Sequence, residues 1–78
     1  MQIELALFAS LTAFYPGGGG RAARPMDLTD GTTIAEVIAK LDLPDAPRII
    51  FVNNVSAEES AALQDGDRLA IFPPIAGG

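Results

Sequence analysis

The sequence predicts an α+β roll: a sheet of four to five strands with one main helix across one of its faces. Three observations carry that expectation. Residues 2–8 alternate apolar and polar side chains with the period of two of a half-buried strand; one capping box followed by an apolar stripe marks one helix near the middle; and turn residues divide the second half into short strands. One helix covers one face, so the other is left partly open.

The first strand spans residues 2–8, with Ile3, Leu5 and Leu7 on one face and Gln2, Glu4, Ala6 and Phe8 on the other. Residues 10–15 have the makings of a short helix. Pro16-Gly-Gly-Gly-Gly20 then stops regular structure, because glycine is maximally free and proline cannot continue a helix, and a flexible loop is expected. A second short strand fits residues 23–28. Pro25 within it has no N–H for a ladder, which places it at a sheet edge or a bulge.

Asp30-Gly31 turns the chain into Thr33-Ile-Ala-Glu36, where the threonine and glutamate side chains can satisfy each other's orphan N–H groups and start a helix. Ile34, Val37, Ile38 and Leu41 form its apolar stripe, and Pro44 is expected to end it. Residues 49–52 read as a strand. Asn53-Asn54 tolerate the positive φ of a tight hairpin, and Val55 begins the short return strand. Leu63 anchors the polar stretch after it, Asp65-Gly66-Asp67 turns, and residues 68–72 form the last strand. Leu7, Ile50 and Ile71 fill the core in this layout. Phe8, Phe51 and Phe72 then point the opposite way, where they form either an exposed docking patch or a satellite core.

Composition narrows the chemistry. The 78 residues suffice for one domain with little room for a deep cleft. No apolar stretch approaches the roughly 20 residues of a membrane helix, and no basic leader precedes the first strand, so the mature chain is expected to begin at Met1. Without cysteine there is neither disulfide nor thiolate metal site, and a cytoplasmic location is the default; without histidine, the commonest metal ligand and general base are both missing. Neither a metal nor a cofactor is expected. A net charge of −5 argues against nucleic acid and allows a basic protein partner. Pro16–Gly20 lacks the spacing of a phosphate-binding loop, and Glu36, Glu58, Glu59, Asp65 and Asp67 read as caps, turns and solvated surface rather than a catalytic pair.

The reactive group is expected at the end of the chain, Ile71-Phe-Pro-Pro-Ile-Ala-Gly-Gly78. Residues 1–72 form the domain and residues 73–78 an extended, flexible tail. Pro73 and Pro74 hold φ near −65° and lead the chain away from the sheet. Six residues at roughly 3.3 Å each reach about 20 Å, enough to enter another protein's site. Gly77 and Gly78 have no Cβ and fit a narrow channel, leaving the Gly78 carboxylate the least hindered acyl group. A carboxylate needs activation before it reacts, and this chain has no means of supplying it.

Leu63-Gln-Asp-Gly-Asp-Arg-Leu-Ala-Ile-Phe-Pro-Pro-Ile-Ala-Gly-Gly78, with Thr32-Thr-Ile-Ala-Glu-Val-Ile-Ala-Lys-Leu41 and Phe51-Val-Asn-Asn54, resembles the ubiquitin-like sulfur carriers. These comprise the small subunit of molybdopterin synthase (MoaD) and its thiamine-pathway relative ThiS, and the resemblance is nearest to MoaD. It implies a β-grasp fold, a mixed sheet with its first and last strands parallel. It also implies that Gly78 is adenylated by a partner like ubiquitin-activating enzyme and converted to a thiocarboxylate. Gly77 and Ala76 then belong to the channel-entering tail, and Phe72, Pro73, Pro74 and Ile75 to the partner-binding segment. The implied partners are that adenylyltransferase, a sulfur donor protein and the large molybdopterin synthase subunit, which uses the sulfur to build the dithiolene that holds molybdenum or tungsten. The chain alone is then a non-catalytic carrier subunit. A thiamine-type or other sulfur carrier and a ubiquitin-like protein modifier are the alternatives. The segment between Leu11 and Arg24, FYPGGGG at its centre, departs from the longer charged helix of related chains.

Overall fold

The computed structural model describes residues 1–17, 19, 20 and 22–74. In chain order its elements are β1 (Gln2–Leu7), a short 3₁₀ helix (Ala9–Phe14), β2 (Arg24–Asp27), α1 (Ile34–Leu41), β3 (Ile49–Val52), β4 (Val55–Ser56) and β5 (Arg68–Phe72). The strands form a five-stranded sheet in the order β2-β1-β5-β3-β4. At its centre β1 and β5 are parallel, with Leu5 opposite Leu69 and Leu7 opposite Ile71, while the remaining neighbours are antiparallel. This is the β-grasp, ubiquitin-like fold, and the parallel central pair is the arrangement expected of it.

Period-two alternation sends Ile3, Leu5 and Leu7 of β1 and Leu69 and Ile71 of β5 to the face that α1 covers. The helix answers with Ile34, Val37, Ile38 and Leu41, and all of these side chains are buried. Its start is the capping box read from the sequence: the Glu36 N–H donates to Thr33 Oγ1 (3.2 Å) and the Thr33 N–H donates to Glu36 Oε1 (2.9 Å). Its end is not Pro44. Asp42 takes a left-handed conformation (φ 57°), and the Asp42 and Leu43 N–H groups bond back to the Ala39 and Ile38 carbonyls, which reverses the chain before the proline is reached. Leu43, which follows, is buried beside the helix it closes.

Local chemistry explains the edges too. β2 is an outer strand, where Pro25 lies opposite Glu4. Asn53 and Asn54 are both left-handed (φ 52° and 67°), as a two-residue hairpin of matching twist requires. β2 pairs with β1 only as far as Leu5, and the gap beyond is filled by a side chain: the buried Leu7 N–H donates to the Tyr15 hydroxyl at 2.7 Å. Arg24 lies over the Tyr15 ring at 4.4 Å and donates to the Pro16 and Gly19 carbonyls, both at 3.0 Å. Arg24 thus ties itself to the backbone of the glycine-rich segment at Pro16 and at Gly19.

Candidate functional site: the root of the C-terminal segment

The open face of the sheet is built from alternate residues of its central strands. Ala6, Ala70 and Phe51 are neighbours in one row across β1, β5 and β3, and Phe72 lies opposite Ile49 in the next. The small side chains of Ala6 and Ala70 leave room for large rings around them. Phe8, the residue after β1, stacks on Phe72 with ring centroids 4.1 Å apart and planes 9° from parallel. Phe51 meets Phe72 edge-on at 6.0 Å and 86°. All three rings are half-buried, packed upon one another and open to solvent on one side. The fourth phenylalanine, Phe14, packs against the main core instead.

Where this cluster ends, the chain leaves the sheet. Phe8, Ala9, Ile49, Phe51 and Phe72 line an open apolar concavity of about 450 Å³ whose far wall is Pro73 and Pro74. A second, of about 240 Å³, lies against the same two prolines and is lined by Ser10, Leu11, Pro44, Ala46, Pro47 and Arg48. The Pro73–Pro74 pair is thus a ridge between two apolar hollows. Ile49 (39% exposed) belongs to the front hollow through its register with Phe72, a relation that no local pattern in the sequence reveals. The residues of the second hollow were missed for the same reason, because they come from three separated segments.

The Asp65-Gly66-Asp67 and Asn53-Asn54 signatures prove to be parts of one lock. Gly66, at φ 88°, donates to the Gln2 carbonyl (2.8 Å), and Asp65 Oδ1 accepts from the Gln2 N–H (2.7 Å). Asp67 accepts from the Asn53 side-chain amide (2.9 Å) and from the Gln64 N–H (2.8 Å), while the Asn53 side chain accepts from the Arg68 N–H (3.0 Å). These bonds join the starts of β1 and β5 to the β3–β4 turn. They hold the end of β5 nearest its entry, while the opposite end, at Phe72, is held by its pairing with β3 and by the contacts of its ring with Phe8 and Phe51.

Charge at the site is sparse. Glu4 and Arg68 pair across the open face at 2.8 Å, between side chains that are each about half exposed, an arrangement of small energetic weight. Glu36, on the helix remote from this face, has its carboxyl held below the ordinary 4.5 by the Thr33 N–H and then by the Thr33 hydroxyl, the signature of a cap. Among the described residues no group of three or more acidic, histidine or cysteine side chains could hold a metal ion, and no helix is long and apolar enough to cross a membrane. Of the site residues expected from the sequence, Phe72, Pro73 and Pro74 are brought together here with Phe8 and Phe51. Ile75, Ala76, Gly77 and Gly78 lie outside the described residues.

Comparison with known proteins agrees with this anatomy. The ThiS family model matches residues 14–78. Small archaeal modifier protein 1 of Haloferax volcanii superposes with a TM-score of 0.72 at 23% identity, over 95% of this chain and 98% of that one. A putative molybdopterin converting factor subunit 1 from Pyrococcus furiosus gives 0.71 at 20% identity, over 95% and 98%. The complex of subunits 1 and 2 of molybdopterin-converting factor from Helicobacter pylori gives 0.63 at 20% identity, over the whole of both chains. At these identities the structural likeness shows the fold, and it does not separate modifier from converting factor. With the family match running from Phe14 to the last residue, the chain belongs to the ThiS family.

Proposed function

We propose that this protein is a sulfur carrier of the molybdopterin type, with Gly78 as the reactive residue. The observation that carries the reading is the route of the chain: the central strand β5 ends in Phe72-Pro73-Pro74 at an apolar surface, with Ile-Ala-Gly-Gly to follow. The rigid domain supplies a docking face, and the terminal glycines supply a carboxylate without side-chain hindrance. An adenylyltransferase like ubiquitin-activating enzyme joins that carboxylate to the α-phosphate of ATP and releases pyrophosphate. The outer sulfur of a donor protein's persulfide attacks the acyl carbon and displaces AMP; a thiol then reduces the acyl disulfide so formed, leaving a thiocarboxylate on Gly78 and a disulfide on the donor. The loaded tail enters the large synthase subunit and transfers its sulfur to a pterin precursor. Carrying sulfur covalently keeps free sulfide out of the process and delivers the nucleophile at high effective concentration.

Residues 73–78 are the tail in this reading, with Gly77 and Ala76 in the partner's channel and Phe72, Pro73, Pro74 and Ile75 as contacts outside it. Phe-Pro-Pro before the terminal glycines favours the molybdopterin type over a thiamine-type carrier. A second reading, a modifier that forms an isopeptide bond with lysines of other proteins, has its own support in the equally close likeness to small archaeal modifier protein 1. Intact mass spectrometry after co-expression with an activating enzyme separates them. Replacement of one oxygen by sulfur on this chain, lost when Gly78 is deleted, supports the carrier. Covalent adducts on other proteins instead support the modifier, and an unchanged mass with every activating enzyme tried refutes both.

A further inference from the structure

We propose that the hollow behind the Pro73–Pro74 ridge is a second docking pocket, and that it receives an aromatic side chain from a basic segment of the activating enzyme. This inference rests on the carrier reading above. It adds a site on the opposite flank of the ridge from the phenylalanine cluster.

The lining states what the pocket can recognise. Four of the eight lining residues are prolines, Pro44, Pro47, Pro73 and Pro74; Leu11 and Ala46 are the other apolar members, and Ser10 and Arg48 the polar ones. Such flat apolar walls suit a planar ring, the complement that proline segments find in aromatic-lined grooves. The charged member of the lining is already engaged. Arg48 donates to Glu59 Oε2 at 3.1 Å and to the Pro44 carbonyl, and its side chain is 11% exposed. Its guanidinium therefore serves to fix the loop that carries Pro44, Ala46 and Pro47, and does not reach for an anionic ligand.

The sign of the partner follows from the loop's charge. Asp45 is exposed between the wall residues Pro44 and Ala46, and Asp42 is exposed at the helix end just before them. Neither forms an ion pair among the described residues. With a chain charge of −5, the rim of this pocket attracts lysine or arginine beside the inserted ring. A partner gripping both flanks of the ridge also fixes the direction in which the chain leaves Pro74.

The test measures adenylation of the full chain by pyrophosphate exchange, using the ubiquitin-activating-type adenylyltransferase from the same genome. Ala46→Trp fills the pocket from an exposed position and is expected to raise KM for the carrier about tenfold, the loss of one good anchor. Asp45→Arg is expected to raise KM several-fold at low salt, and the effect should vanish near 1 M salt, where charges are screened within about 3 Å. Circular dichroism melting checks that both variants keep the fold, and Phe51→Ala reports on the front face. If Phe51→Ala raises KM while Ala46→Trp and Asp45→Arg do not, the rear pocket is overturned and the carrier reading stands. If the wild-type chain supports no exchange, the carrier reading fails and this proposal falls with it.

Discussion

Breaking the aromatic triad one contact at a time measures how firmly the end of β5 is held. Phe72→Leu keeps an apolar side chain at the end of β5 but removes both the stack on Phe8, at 4.1 Å and 9°, and the edge contact with Phe51, at 6.0 Å and 86°. Aromatic pairs in such geometries contribute about 0.5–1.5 kcal/mol each beyond their buried area, so the substitution should cost about 1–3 kcal/mol. Phe8→Leu removes the stack alone and should cost about 0.5–1.5 kcal/mol. Once the partner ring is gone, the second substitution has less to remove. The double variant should therefore fall short of the sum by about 1 kcal/mol, the stack itself. Urea denaturation followed by circular dichroism gives the four stabilities, with m unchanged if the unfolding remains two-state. In a domain of this size, 1 kcal/mol moves the melting temperature by about 4–8 °C, well within measurement. Additivity within about 0.3 kcal/mol would refute the reasoning, because rings that do not feel each other cannot hold the end of β5 as one unit.

Tyr15→Phe leaves the buried Leu7 N–H without its 2.7 Å acceptor while keeping the ring under Arg24. It should cost about 1–3 kcal/mol and speed hydrogen exchange at Leu7 well before the rest of β1, as NMR would show. The Glu36 carboxyl, depressed by its bonds to Thr33, stabilises the fold fully above the unfolded glutamate value near 4.5 and loses that contribution as pH falls through the lower, folded value. Acid melting curves should therefore be flatter for Glu36→Gln than for the wild type below that pH; parallel curves would mean that the capping box is open in solution.

Features decided within a few residues were legible. The Thr33–Glu36 box, the stripe of Ile34, Val37, Ile38 and Leu41, the paired asparagines and the alternation of β1 each state a local preference that the fold keeps. The helix end was misplaced because Asp42 takes the left-handed conformation that glycine more often supplies at a helix end, so the sequence carries no glycine there and the nearby proline is the stronger local signal. Strand order was not legible from periodicity; the family resemblance supplied one part of it, the parallel pairing of the first and last strands. Of the site, the three phenylalanines could be read from strand alternation. Ile49, Ala9 and the rear hollow could not, because register and loop packing bring them in from distant positions. The Tyr15 hydroxyl closing the end of a ladder is similarly invisible to any rule about neighbours in sequence.

The adjacency of β1 and β5 also governs when the molecule can take shape. Glu4 and Arg68 meet across 64 positions, and during synthesis the first strand has to wait for nearly the whole chain before its central neighbour exists. Such distant pairing is slow to form. Until it does, the apolar residues of β1 have nowhere to settle, and a nascent or truncated chain offers them to chaperones and proteases. Any partner that reads the assembled sheet would consequently meet only chains whose last strand is in place, a check set by the order of translation.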